Sequence, residues 1–284
     1  MPPTSLPESR PESLLQVTNL SVTAAGTDLV RGVDLVVPRG GSLGIVGESG
    51  SGKSLTCRSI LGILPPGCAH GPDTRVTFDG VDLVDRGRPL DRRGWLPYRG
   101  TRISAVFQDP GSYLNPSITV GRQLAEVLRV RVGLARRAAR ERAVELFGQM
   151  GLRDPGGVYR QYPFELSGGM LQRVLIAVAI CGDPDLLIAD EATTALDVTV
   201  QAEVLDLLTD LRDRTGLALV LVSHDLAVVA QVCDEVVVMR DGIVLERGRP
   251  ADVLRDPQHA YTRLLVDSHA RFGVERFRRE AARV

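Results

Sequence analysis

A chain of 284 residues, 44% of them hydrophobic, with a formal net charge of −1, can bury a core in one large domain or two small ones, and it lacks the basic excess of a nucleic-acid binder. No apolar run approaches the roughly 18–20 residues that a bilayer-spanning helix needs, so contact with a membrane calls for a partner. Cys57, Cys68, Cys181 and Cys233 form no Cys-x-x-Cys pair, which argues for thiols in a reducing compartment rather than a zinc site or a disulfide framework.

Residues 1–13 are rich in Pro, Ser and Glu, have no apolar stretch of a secretory signal, and read as a disordered lead-in. Alternation over residues 15–22 and 29–37 predicts strands of a half-buried antiparallel sheet. Residues 43–46 form a short apolar strand running into a Gly/Ser-rich loop. A helix is predicted over 53–64, stopped by Pro65-Pro66, and a strand over 102–107. From Val120 to about Gln161 the period is helical, with Ala139, Ala143, Leu146, Phe147 and Met150 on one face and arginines opposite. A helix over 168–181, a buried strand over 186–190 and an amphipathic helix over 198–214 follow. Then come a strand (217–223), a helix (226–232), a strand (236–239) and an Asp241-Gly242 turn into 243–246. The tail from 249 to 284 is mostly helical and Arg-rich at its end. Short buried strands alternating with helices predict an α/β fold with a parallel sheet covered on both faces. The helical stretch over 109–165 reads as an inserted α-helical subdomain between core segments 14–108 and 166–248.

Gly47-Glu48-Ser49-Gly50-Ser51-Gly52-Lys53-Ser54 fits G-x-x-x-x-G-K-[ST], a phosphate-binding loop, with the strand before and the helix after that the motif requires. Its glycines let backbone N–H groups turn around phosphate oxygens, and the helix beginning near Lys53 directs its positive end at the same anion. Lys53 reaches the β- and γ-phosphates of a nucleotide, and Ser54 offers a hydroxyl to Mg²⁺. Of the 34 Lys and Arg residues only Lys53 is a lysine. A codon bias towards Arg accounts for the rest and makes this compact ammonium conspicuous.

The strand over 186–190 ends in Asp190-Glu191. Adjacent carboxylates there are costly unless they hold something. Asp190 fits a Mg²⁺ partner, and Glu191 a general base polarising the attacking water. His224, after the strand over 217–223, is placed to contact the γ-phosphate and orient that water. Gln108, at the end of the strand over 102–107, can touch Mg²⁺ or water and report the γ-phosphate to the helical stretch behind it. Tyr113, Leu114 and Pro116 follow, as candidates for a docking surface or for ordinary packing.

Leu166-Ser167-Gly168-Gly169-Met170-Leu171-Gln172-Arg173 resembles the signature motif of ABC ATPases, and Ala195-Leu196-Asp197 resembles their D-loop. The resemblance covers about residues 14–270 and implies a P-loop (RecA-like) parallel sheet with an antiparallel β subdomain and the helical insertion. It implies that two subunits stack head to tail, so that Ser167, Gly168, Gly169 and Asp197 act on nucleotide held by the other. It further implies a second ATPase subunit, two transmembrane permease subunits and an extracytoplasmic solute-binding protein as partners, with the chain held at the cytoplasmic face of the membrane. Phe107-Gln108-Asp109-Pro110, Leu114-Asn115-Pro116 and residues 193–201 are similar to the peptide/nickel importer branch. Residues 52–57 with 61–65, residues 162–173 and the run Leu265-Val266-Asp267-Ser268-His269 look most like its nickel-import subunit, with dipeptide or oligopeptide import as the alternative. Signature motifs also occur in DNA-repair and chromosome-organising ATPases, but these carry long coiled coils or zinc hooks, and neither heptads nor Cys-x-x-Cys is present. Ribosome-associated members are usually tandem, whereas this chain has a single P-loop. A non-hydrolytic regulatory module would not need Glu191 and His224. Two departures stand out. The region Val22-Thr23-Ala24-Ala25-Gly26 lacks the aromatic that many members stack on adenine, a loss of about 1–3 kcal/mol by analogy with base stacking on aromatics, and leaves the branched Leu29 to cover the base. Ala192 stands where the family usually has Pro, which loosens that loop.

Overall fold

The computed structural model describes residues 13–192 and 196–267; the expectations for the lead-in up to residue 12, for Thr193, Thr194 and Ala195, and for the tail beyond 267 fall outside them. In chain order, β1 (Ser13–Ala24) and β2 (Thr27–Pro38) pair antiparallel, with Leu15 opposite Val37 and Val22 opposite Val30. Their alternation buries Leu15, Val17, Val22, Leu35 and Val37 on one face. β3 (Ser42–Val46) is buried at every position and leads into α1 (Lys53–Ile60).

Helix α1 ends before the proline pair, for a local reason. Gly62 takes φ 62, its N–H donates to the Ser59 carbonyl, and the Ile63 N–H donates to the Arg58 carbonyl. That is a Schellman closure with a left-handed glycine, and it stops the helix on its own. A Cβ on Gly62 would also lie 2.3 Å from the Trp95 ring. Residues 65–101, which the sequence pattern left without elements, hold β4 (Cys68–His70), β5 (Arg75–Phe78), β6 (Val81–Asp85), β7 (Arg88–Pro89) and α2 (Arg92–Trp95). These strands are too short to show a period.

β8 (Ile103–Val106) follows, and then the helical stretch of α3 (Val120–Val127), α4 (Arg136–Gln149), α5 (Pro155–Val158) and α6 (Gly168–Ile180). The chain returns through β9 (Leu186–Asp190), α7 (Val198–Thr215), β10 (Ala218–Ser223), α8 (Leu226–Val232), β11 (Glu235–Arg240), β12 (Ile243–Gly248) and α9 (Pro250–Arg255). Residues 260–267 are again helical.

Among the described residues there are two six-stranded sheets. One is antiparallel, ordered β2-β1-β5-β6-β7 with β4 on β1. The other runs β12-β11-β3-β10-β9-β8 and is parallel except for β12. Alternate residues of the parallel strands enter different cores. Leu43, Ile45, Ile188, Val220 and Val222 pack with α1 and the antiparallel sheet, while Val46, Leu187, Ala189, Leu219 and Leu221 pack with the helices of the other face. Burial on both sides explains why these strands read as unbroken apolar runs. The loops after β3, β8, β9 and β10 all leave the carboxyl edge of this sheet, where ligands of open α/β sheets bind.

Candidate functional site

The loop between β3 and α1 is built by close approach. A Cβ at Gly47 would lie 2.1 Å from the Met239 carbonyl oxygen and 2.7 Å from Ser51 Oγ, so only glycine fits. Gly52, at φ 98, is the N-cap of α1 and offers no side-chain cap, which leaves N–H donors of the first turn for a ligand. Lys53 Nζ donates to the Gly47 carbonyl at 2.7 Å and to the Glu48 carbonyl at 2.8 Å, and lies 3.9 Å from Glu191 Oε1. It is 4% exposed. Burial pushes its pKa below the ordinary lysine value, against the pull of Glu191 and Asp190.

Asp190 ends β9 at 5% exposure and accepts a hydrogen bond from Ser54 Oγ at 3.1 Å. Burial raises its pKa, partly offset by the Ser54 bond and reinforced by Glu191. This pair of hard oxygen donors, one of them a buried carboxylate next to the phosphate loop, fits Mg²⁺. Among the described residues no group of three or more His, Cys, Asp or Glu could hold a metal by itself. Glu191 turns out of the strand with φ 50, a left-handed conformation that is costly for a non-glycine residue, and its N–H donates to the Val222 carbonyl at 3.1 Å.

Glu48 to Ser54, Gln108, Glu191 and His224 line one open cleft of about 1070 Å³, together with Leu29, Leu55, Asp225 and Leu265. No Phe, Tyr or Trp is among these lining residues, and Leu29 is one of them. Leu265 and Asp225 were not anticipated as site residues. The Asp225 carboxylate accepts from the Ala227 and Val228 N–H groups and caps α8 next to His224.

Ser167, Gly168, Gly169 and Asp197 do not line this cleft. They form a second surface at the adjacent N-termini of α6 and α7. Ser167 Oγ accepts from the Met170 N–H at 3.3 Å, and Asp197 Oδ1 from the Val200 N–H at 3.0 Å. A Cβ on Gly169 would lie 2.4 Å from Val200 Cγ1, so glycine is what lets the two helix ends meet. Ser167 and Gly168 are exposed. Of the residues after Gln108, Leu114 packs into the core, while Tyr113 stands 53% exposed and stacks on Phe107 at 5.6 Å.

Tyr261, also unanticipated, reaches the phosphate loop from behind: the Glu48 N–H donates to its hydroxyl at 3.0 Å. It is the one aromatic in residues 249–270, a signal that could have drawn attention to it.

Residues 30–194 match the family model described as ABC transporter. A dipeptide transport ATP-binding protein of Bacillus subtilis is 46% identical over 267 residues, spanning 93% of this chain and 78% of that one. An ATP-binding protein of a metal-staphylopine import system in Staphylococcus aureus is 38% identical over 258 residues, spanning 90% and 93%. Among solved structures, a dimeric ATP-binding cassette in a post-hydrolysis state bound to ADP and Pi aligns with a TM-score of 0.71 at 26% identity, over 83% of this chain and 98% of that one.

Proposed function

We propose, from the premise that this chain belongs to the ABC transporter family of ATP-binding subunits, that it powers the import of a peptide by hydrolysing ATP in the cleft between β3, β9 and β10. The observation that carries this reading is the convergence of Lys53, the Ser54–Asp190 pair and Glu191 on one cleft at the carboxyl edge of the sheet.

The residues divide the work. The N–H groups of residues 50–54 and Lys53 Nζ bind the phosphates. Ser54 Oγ and the Asp190 carboxylate would hold Mg²⁺, which when bound supplies positive charge against the β- and γ-phosphate oxygens. Glu191 takes the proton from the attacking water as the water oxygen bonds to the γ-phosphorus. The bond from that phosphorus to the bridging oxygen breaks, and the electron pair leaves with ADP. His224 orients the water, and Gln108 links the γ-phosphate to the helices between β8 and β9. Ser167, Gly168, Gly169 and Asp197 face outward because they serve nucleotide held by a second subunit, which closes on ATP and reopens after hydrolysis. No helix among the described residues is long and apolar enough to cross a membrane. In this reading permease subunits supply the path and a solute-binding protein the cargo.

A peptide is favoured over nickel because the 46% identical relative is named for dipeptides. A metal chelate stays as the second reading because the 38% identical relative is named for metal-staphylopine. ATP turnover by the complex reconstituted with its permease and solute-binding partners distinguishes them. Stimulation by short peptides supports the reading, and stimulation by a nickel chelate alone overturns its cargo.

A further inference from the structure

Tyr261 is 3% exposed, and a hydroxyl buried to that extent needs a partner. The partner is the backbone N–H of Glu48, inside the phosphate loop, at 3.0 Å. The guanidinium of Arg240 covers the Tyr261 ring at 4.7 Å from its centroid. The segment carrying Tyr261 is itself tied down. Both oxygens of Glu246 accept N–H groups at its start, from Gln258 at 2.8 Å and His259 at 3.0 Å, and His259 Nδ1 accepts from the Tyr261 N–H at 3.1 Å. Arg240 and Glu246 belong to the β11–β12 hairpin, whose Gly242 N–H donates to the Ser51 carbonyl at 3.1 Å. One unit therefore grips the loop at two points, Glu48 and Ser51. One helical turn beyond Tyr261, Leu265 faces into the cleft that Leu29 enters from β2.

We propose that residues 256–267 form a strap that is part of the nucleotide site, in which Tyr261 is a positioning residue for the phosphate loop and Leu265, with Leu29, seats the base. The proposal rests on the reading of the cleft as the ATP site. A loop already held in its binding shape loses less freedom when phosphates arrive, so the Tyr261 hydroxyl acts on everything that binds through phosphates. The Leu265 contact concerns the base alone, where an aliphatic pair stands in for a stacked ring.

Two ligands separate these roles: MgATP, and magnesium tripolyphosphate, which has the phosphates without the base. Binding of each to the full-length chain is measured by calorimetry for wild type, Tyr261→Phe, Glu246→Gln and Leu265→Ala, with Tm alongside. Tyr261→Phe keeps the ring under Arg240 and removes only the acceptor. It is expected to weaken both ligands by roughly tenfold. Glu246→Gln loosens the strap without touching the cleft and is expected to weaken both in the same sense, which keeps the idea testable should Tyr261→Phe fold poorly. Leu265→Ala is expected to weaken ATP several-fold and leave tripolyphosphate unchanged. Wild-type affinity for both ligands in Tyr261→Phe, or equal losses for both in Leu265→Ala, overturns the proposal. Wild-type chain that binds neither ligand overturns the ATP-site reading instead.

Discussion

At the scale of single residues, the proposed chemistry rests on groups whose surroundings fix their state. Glu191→Gln keeps the size and removes the base, so the variant is expected to bind ATP with near wild-type affinity and to turn over at least about 100-fold more slowly. Unchanged turnover would remove Glu191 from the mechanism. Lys53→Arg places a planar fork where a point charge bonds two carbonyls at 2.7 and 2.8 Å, and loss of nucleotide binding or turnover is expected. Three of the four cysteines are buried. Burial pushes the Cys57 thiol well above its ordinary value, Cys181 up to about 11 and Cys233 up to about 12, so at mildly alkaline pH they stay protonated and poorly nucleophilic. Iodoacetamide followed by mass spectrometry should label the half-buried Cys68 in the native chain and all four thiols in denaturant. The placement of the proposed site was largely legible beforehand, because the phosphate loop, Asp190-Glu191, Gln108 and His224 each sit at a strand end, where the sequence marks a switch from apolar to polar. Tyr261 and Leu265 were not, since nothing local in a helical tail says which distant loop it will touch.

At the scale of elements, close contacts decide what is tolerated. Gly47→Ala drives a methyl into the Met239 carbonyl of β11, and a loss of about 1–3 kcal/mol in urea unfolding is expected, together with weakened ATP binding. Between α1 and β4, His70 Nε2 lies 2.6 Å from Ser59 Oγ. Burial holds the His70 pKa below its ordinary 6.5, against a smaller opposite pull from Ser59. The stabilisation from the neutral ring is whole above the unfolded pKa and is lost as pH falls through the lower folded value. Tm should fall less steeply between about pH 7 and pH 5 in His70→Gln than in wild type. A slope identical in the two chains would refute the assignment. Sequence pattern found β3, β9 and β10, whose burial leaves unbroken apolar runs, and α4, whose stripe is regular. It passed over β4 to β7, two to five residues each, and credited the end of α1 to prolines when Gly62 closes it first.

At the scale of the whole molecule, the proposed machinery lies on two surfaces of one chain, the cleft and the N-termini of α6 and α7. A chain with one intact surface should complement a chain with the other. Lys53→Ala and Ser167→Arg proteins, each inactive alone, are expected to regain turnover when co-assembled with the permease, and failure of every mixture would argue against composite sites. That division was legible only through resemblance, since composition and period carry no trace of a second subunit. The parallel sheet was legible from alternation of strand and helix. The pairing of β1 with β5 was not, because register between distant strands is set by packing rather than by local pattern.

The solitary lysine has a practical corollary. The chain carries a single side-chain amine, and that amine lies inside the cleft behind the phosphate loop. Lys53 is the one lysine among these 284 residues, so amine-selective acylation of side chains, usually scattered over a surface, here becomes a footprint of one site, and MgATP should shield it. Coupling through a lysine on the outer surface, whether by a cross-linker or by a cellular modifying enzyme, finds no target among these 284 residues.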